Sequence, residues 1–262
     1  MYLKNIKEFT AQWKAAMKEE SAQMMSAPKL LIVQVGNNEA SNRYVRNKMK
    51  DCEEVGIFCH LEKFEEGTPQ TMIHQTLSSL QKMYDGVMIQ LPLPAGYDNS
   101  LLNVIDKEKD VDGLKPMSKF NPCTPLGIMK YLEHCEYDLT GKNVVICGRS
   151  EIVGKPLARL MEEKNATVSL LHSHTRNHHD YYDIADLIVT AVGKPGFLNC
   201  YPIRVPVIDV GINFVDGKLV GDCINTEHRD VTPVPGGVGL LTRCALLQNT
   251  LDAAKKTQWL PD

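Results

Sequence analysis

The chain has 262 residues, enough for two modest domains or one large one. Hydrophobic residues make up 43% and charged residues 23%, the balance of a soluble globular protein. A formal net charge of −3 gives no polybasic signature, which argues against nucleic acid or an anionic membrane as the partner.

The first stretch, MYLKNIKEFTAQWKAAMKEE, is charged throughout and lacks the apolar core of a signal peptide. No apolar run approaches a membrane span, so the expectation is a cytoplasmic protein with reduced thiols. KLLIVQVG (29–36) reads as a buried strand ending in glycine. SNRYVRNKMKDCEEVG (41–56) reads as a helix capped by Ser41 and stopped at Gly56. IFCHLEKF predicts a second strand, and TPQTMIHQTLSSLQKM (68–83) a helix with Thr68 as cap and Pro69 in its first position. GVMIQLPLP (86–94) predicts a third strand broken by its prolines.

PCTPLGIMKYL (122–132) predicts a connecting helix, followed by strands at 143–147, 166–172, 187–192 and 206–210. FVDGKLV predicts a hairpin turning at Asp216-Gly217. A last helix is expected over about 239–256, packing back on the first domain. Alternating strands and helices imply an α/β fold with largely parallel sheets. The cysteines at 52, 59, 123, 135, 147, 200, 223 and 244 are scattered, with no C-x-x-C pair. They read as small buried hydrophobes rather than a zinc ribbon or redox dithiol. The histidines of HSH (172–174) and HH (178–179) lack supporting cysteine or acidic spacing, so no metal site is expected. His178 and His179 suit a polar helix start or loop.

Two stretches carry chemistry. In NVVICGRSEIVGKP (143–156) an apolar strand runs into Gly148, where the chain turns sharply and free N–H groups at a helix start favour an anion. This is not a full G-x-G-x-x-G fingerprint, and a structural turn without ligand fits it as well. The next strand ends in His172, Ser173, His174, Thr175 and Arg176, with no carboxylate. A carboxylate there would hold ribose hydroxyls and repel a 2′-phosphate, so NADP is preferred over NAD. Arg149 offers a bidentate grip; otherwise Arg149 and Arg176 are solvated surface charges. In YVRNKMK (44–50), Tyr44 and Lys48 share a helix face at i and i+4, although a surface lysine has the same spacing. Gln90 ends a buried strand, Asp112 precedes Gly113 and could equally cap a turn, and TPVPGGVG (232–239) is a rigid loop suited to a flat ligand.

YVRNK, GVMIQLPLP, KDVDG, PCTPLGI, GRSEIVGKP, DVGIN and TPVPGGVG together resemble the bifunctional methylenetetrahydrofolate dehydrogenase/methenyltetrahydrofolate cyclohydrolase family. The resemblance spans nearly the whole chain. It implies an N-terminal α/β catalytic domain (1–121 with 243–262) and a Rossmann-like NADP-binding domain (122–242). It implies hydride transfer from 5,10-methylenetetrahydrofolate to NADP, then hydration of the methenyl cation to 10-formyltetrahydrofolate, in one-carbon metabolism that serves purine biosynthesis. By the same resemblance Lys48 is catalytic, Gln90 tunes it, Tyr44 positions the folate and Asp112 holds the pterin edge. Pro235, Gly236 and Gly237 border the substrate. Arg149 and Ser173 match the 2′-phosphate grip, and Gly148, Ser150, Ile152, Val153 and Ile212 lie along the dinucleotide. Lysine is charged at neutral pH (reference pKa ~10.4), so it serves as a base only where desolvation or a nearby cation favours its neutral form.

The chain departs from the family pattern in two places. Only LKPMSKFN (114–121) separates D-V-D-G from P-C-T-P, where the family usually has a longer stretch. The loop continues G-V-G-L-L-T, with Leu240 where the family commonly has proline. These departures keep two alternatives open: a two-domain NADP-dependent dehydrogenase of another small substrate, and a silent folate- or nucleotide-binding homologue. The expected partners are tetrahydrofolate derivatives and a second copy of the chain in a homodimer, with no nucleic acid or membrane.

Overall fold

The computed structural model describes residues 3, 5–199, 202–224 and 230–258. The chain forms two compact units, one of Gln12–Cys123 with Arg243–Asp262 and the other of Met1–Ala11 with Thr124–Thr242. Both sheets that carry the motifs are parallel.

Helix α1 (Ile6–Ala22) precedes the first sheet, and the periodicity did not announce it. Its charged residues dilute the apolar stripe, but Met17 is buried and Trp13 Nε1 donates to Gln248 Oε1 at 3.0 Å. Strand β1 (Lys29–Val35) is buried from Leu30 onward, because it is the centre of a sheet ordered β2-β1-β3. Helix α2 (Glu39–Val55) starts three residues earlier than a cap at Ser41 implies. Asn38, not Ser41, is the cap: its Oδ1 accepts from the Ser41 N–H at 3.1 Å. Gly56 ends the helix in the left-handed region at φ 81, as the sequence indicates.

Strand β2 spans Phe58–Phe64. Helix α3 (Gln70–Leu80) is capped at Pro69 without a side-chain bond, because the Thr68 hydroxyl turns back to Glu65 O at 2.8 Å. Residues 81–83 form a separate 3₁₀ turn. Strand β3 is only Gly86–Ile89; Pro92 and Pro94 cannot donate to a ladder, so the predicted run to 94 stops early. Leu31, Val33, Ile73, Leu77, Val87 and Ile89 form the core of this unit. Each such side chain contributes roughly 1.5–3 kcal/mol of apolar burial.

In the other unit, helix α4 is Cys123–His134 and strand β4 is Asn143–Cys147. Helix α5 (Gly154–Glu162), strand β5 (Thr167–Leu171), helix α6 (His178–Asp183), strand β6 (Leu187–Thr190) and strand β7 (Val207–Asp209) follow. The four-stranded sheet is ordered β5-β4-β6-β7. Alternation along β4 sends Val144 and Ile146 into one core cluster and Val145 and Cys147 into another, so both faces of the sheet are covered. Strands β8 (Asn213–Val215) and β9 (Lys218–Val220) make the predicted hairpin. Asp216 and Gly217 both have positive φ, the geometry a two-residue hairpin turn requires. Helix α7 (Val238–Gln258) closes the chain. Its first turn packs tightly on α4, where a Cβ on Gly127 would lie 2.7 Å from Leu241 O.

Five cysteines (52, 123, 147, 223 and 244) are buried, as small hydrophobes would be, and Cys59 and Cys135 are half-buried. Cys200 lies outside the described residues.

Three helices of the first-sheet unit meet at one carboxylate. Asp51, 4% exposed on α2, pairs with Lys14 of α1 at 2.7 Å and with Arg243 of α7 at 3.0 Å. Burial alone would lower the Lys14 pKa, but hydrogen bonds to Asp51 and Glu54 outweigh it and raise the pKa. Asp51→Ala leaves both cations without their buried partner. We expect it to lower stability by about 3–5 kcal/mol, read as a lower urea midpoint.

Candidate active site

The motif residues gather at the carboxyl ends of the two parallel sheets, where α/β folds place their ligands. In the unit of β1–β3, Gln90 directly follows β3 and continues the ladder by donating its N–H to Val33 O at 2.8 Å. Its side-chain Nε2 donates to Leu91 O at 2.6 Å, which leaves Oε1 to accept from Lys48 Nζ at 3.0 Å. Lys48 Nζ also lies 3.5 Å from Met88 Sδ. Met88 and Gln90 are two residues apart, so strand alternation turns both toward the amine. Tyr44 and Lys48, both half-buried, sit one helical turn apart on α2.

Asp112 lies in the turn that follows the Val87–Asp110 bridge beside β3. That turn can approach because Gly86 has no side chain: a Cβ there would lie 2.7 Å from Val111 Cγ1. Asp112 O accepts from the Cys123 N–H at 3.3 Å. Burial pushes the Cys123 thiol pKa well up; the Asp112 carboxylate adds to this and the Lys48 charge opposes it. Cys123 thus feels both groups. Its place in P-C-T-P was visible in the sequence, but its proximity to Asp112 was not.

The shortened segment 114–121 is a closed, hydrogen-bonded turn. Asp110 Oδ2 accepts from Lys115 N at 2.8 Å, Asp110 O accepts from Ser118 Oγ at 3.1 Å, and Lys119 N donates to Lys107 O at 3.0 Å. From α7, the buried Asn249 Nδ2 donates to Val111 O at 2.8 Å and Asn121 O at 3.2 Å. Lys256 Nζ lies 4.8 Å from the Phe120 ring centroid.

In the unit of β4–β7, the strand order reverses beside β4, so the crevice opens where β4 and β6 end. Gly148 follows β4 at φ 114, and a Cβ there would lie 2.5 Å from Ala191 O. A Cβ on Gly154 would lie 1.9 Å from Gly148 O. The two glycines let the start of α5 close onto the strand end. Ser150 Oγ accepts from the N–H groups of Val153 and Gly154 at 3.2 and 3.4 Å, so it ties down the turn that leads into α5. Arg149, Ser150 and Ile152 are exposed, and Val153 is half-buried.

Ser173 is exposed in the turn after β5, which is pinned by His172 N donating to Thr175 Oγ1 at 2.9 Å. Residual burial, and then the charges of Arg149, His174 and His178, hold His172 below the usual imidazole pKa. Arg149 is thus near enough to the β5 turn for its charge to act on His172. Ile212, 51% exposed, projects from the turn after β7. His178 opens α6, as the sequence suggested, and the described residues contain no cluster suited to a metal ion.

The loop 232–239 belongs to this unit, with Pro235 exposed, Gly236 half-buried at φ 94 and Gly237 buried. A Cβ on Gly237 would lie 2.2 Å from Pro233 O. Leu240 packs against the core and donates its N–H to Gly237 O at 2.9 Å, a bond proline could not make. A cavity of about 660 Å³ lies elsewhere in this unit, lined by Leu126, Met129, Tyr137 and Lys164 among others. None of the residues assigned to the folate or dinucleotide site lines it.

The family description "Tetrahydrofolate dehydrogenase/cyclohydrolase, catalytic domain" matches residues 4–112, and its NAD(P)-binding domain matches residues 122–258. This chain belongs to the tetrahydrofolate dehydrogenase/cyclohydrolase family. The bifunctional protein FolD of Macrococcus caseolyticus is 40% identical over 96% of this chain and 97% of its own length. The FolD methylenetetrahydrofolate dehydrogenase/cyclohydrolase of Campylobacter jejuni superposes with a TM-score of 0.92 at 38% identity, covering 97% of this chain and 98% of that one. The Trypanosoma brucei enzyme, solved with NADP cofactor and inhibitor, superposes at 0.91 with 29% identity, covering 98% of each chain. The two-domain α/β architecture of this tetrahydrofolate dehydrogenase/cyclohydrolase family member is the one its motifs implied.

The Gly148–Gly154 contact leaves no room for a methyl group. Gly154→Ala is expected to lower stability by about 1–3 kcal/mol through overpacking and to weaken NADPH binding. Urea denaturation and a fluorescence titration measure the two effects.

Proposed function

We propose that this chain oxidises 5,10-methylenetetrahydrofolate with NADP and hydrates the resulting methenyl cation to 10-formyltetrahydrofolate. The observation that carries the proposal is the Lys48 amine held 3.0 Å from Gln90 Oε1 at the end of β3, in a chain of this family. Lys48 and Gln90 handle the attacking water, with Gln90 keeping the amine aimed. Tyr44, one turn away on α2, positions the folate. One carboxylate accepts two N–H bonds from an aminopyrimidine edge, and Asp112 fills that role for the pterin. Pro235, Gly236 and Gly237 offer backbone that a flat substrate can approach closely.

NADP, when bound, supplies the nicotinamide carbon that accepts the hydride. The residues present fit it: Gly148 and Gly154 bring backbone close, and the turn 172–176 offers hydroxyls and cations without a carboxylate. Arg149 and Ser173 hold the 2′-phosphate, while Ser150, Ile152, Val153 and Ile212 border the rest of the dinucleotide. Hydride transfer needs proximity and orientation rather than a strong acid or base, so the lysine serves the hydration step. Residues 1–121 with 243–262 are assigned to the folate-handling domain and 122–242 to the NADP-binding domain, although Met1–Ala11 pack in the unit of Thr124–Thr242.

Family membership also supports a cytoplasmic homodimer. Among the described residues no helix is long and apolar enough to cross a membrane. Partners are tetrahydrofolate derivatives, not nucleic acid.

Methylenetetrahydrofolate with NADP should yield the methenyl product by absorbance, and far more slowly with NAD; absence of product contradicts the proposal. Lys48→Met should slow hydration by about 10²–10⁴-fold. Unchanged hydration in that variant removes Lys48 from its assigned role.

A further inference from the structure

Asp222 is fully buried, and its carboxylate collects hydrogen bonds from two separate turns. Its Oδ2 accepts from Thr190 Oγ1 at 2.8 Å, Val192 N at 2.8 Å and Gly193 N at 3.2 Å. Its Oδ1 accepts from Lys194 N at 2.9 Å and from Asn213 Nδ2 at 3.1 Å. Thr190, Val192, Gly193 and Lys194 belong to the end of β6 and the turn after it, and Asn213 opens β8 directly after the turn that follows β7.

Neighbouring Asp209 repeats the pattern: Oδ1 accepts from Gly211 N at 2.9 Å and Asp222 N at 3.0 Å, and Oδ2 from Cys223 N at 2.8 Å. A Cβ on Gly211 would lie 2.3 Å from Asp222 Oδ1, and one on Gly221 would lie 2.0 Å from Asp209 Oδ2. Both carboxylates are seated where only glycine leaves room.

The location gives the carboxylate its consequence. Ala191, just before the clamped N–H groups, presents the carbonyl against which Gly148 turns. The clamp thus fixes one wall of the crevice between the ends of β4 and β6. Successive N–H groups of a turn would otherwise form an anion-binding nest. Here a protein carboxylate fills it, so the backbone of this wall has no N–H groups left for a phosphate. It presents instead two exposed apolar side chains, Val192 at 39% and Ile212 at 51%, one on each clamped turn. Lys194 is exposed on the first of these turns as well, and beside it the two apolar side chains suit the face of a flat ring.

We infer that Asp222 is a positioning residue for the dinucleotide: it holds the turns after β6 and β7 so that Val192 and Ile212 receive the nicotinamide ring while phosphates are directed to Gly148 and α5. The inference rests on the NADP reading above and adds a residue outside the motif that reading uses.

The test is Asp222→Asn in the full chain. Either orientation of the amide sets an NH₂ group against at least two existing donors, so the turns must shift. NADPH affinity, read by fluorescence titration, should fall about tenfold or more. The KM for NADP should rise in parallel, while methenyltetrahydrofolate hydration without dinucleotide stays within about twofold. A merely structural role would instead lower hydration and NADPH binding together, and that result overturns the inference, as does unchanged NADPH affinity. If Asp222→Asn fails to fold, Thr190→Val decides: it removes one donor from Oδ2 at nearly constant volume. NADPH affinity should then fall a few-fold with hydration intact, and unchanged affinity sinks the idea. Wild-type chain that binds NADPH but turns over no folate counts against the enzymatic reading and leaves this inference standing. Wild-type chain that does not bind NADPH refutes both.

Discussion

The amine of Lys48 can act on a bound substrate only if α2 and β3 keep fixed registers with respect to each other. Gln90 is the link, because one of its ends is tied to Leu91 O and the other accepts from the amine. Neither element is free to drift. Helix α2 is capped by Asn38, ended by Gly56 and anchored by Asp51 to α1 and α7. Strand β3 is paired along β1, and its first residue is a glycine so that the turn carrying Asp112 can press against it. Apolar burial carries the stability of this unit and the ion pairs at Asp51 fix how its helices meet; the proposed chemistry belongs to a few polar groups at the strand end.

The nucleotide end rests on a different device, backbone packed against backbone. Gly148 meets Ala191 O, Gly154 meets Gly148 O and Gly211 meets Asp222. Each contact excludes a side chain, and together they leave peptide groups near the surface where a ligand can approach. Arg149 and the β5 turn then supply the cationic and hydroxyl groups that a polypeptide backbone lacks.

Much of this was legible because it is local. The uninterrupted apolar run of β1, the positive-φ pair Asp216-Gly217 and the glycine after β4 each impose a conformation within a few residues. The Lys48–Gln90 contact was legible only through resemblance, since 42 positions separate the partners. What stayed hidden was long-range or weakly patterned. Helix α1 buries a regular stripe, but Thr10, Lys14, Glu20 and Ser21 occupy part of it and blur its apolar periodicity, and Asn38 outcompetes Ser41 as cap by its position. Asp222 gave no signal, because its donors lie far from it along the chain. The two departures from the family pattern also acquire a physical meaning. The short 114–121 segment is tied down by Asp110 and Asn249, and Leu240 gains a helix-start hydrogen bond and core contacts. Both segments are held by hydrogen bonds next to motif residues.

If hydration depends on Lys48 and Gln90, it requires no dinucleotide, because both groups and their supports lie in the unit of β1–β3. The most direct measurement is methenyltetrahydrofolate hydration by chain stripped of all dinucleotide, followed as loss of the methenyl absorbance. The account expects enzyme-proportional turnover above the spontaneous rate. Turnover that appears only when NADP is added, or never exceeds the spontaneous rate, would contradict it.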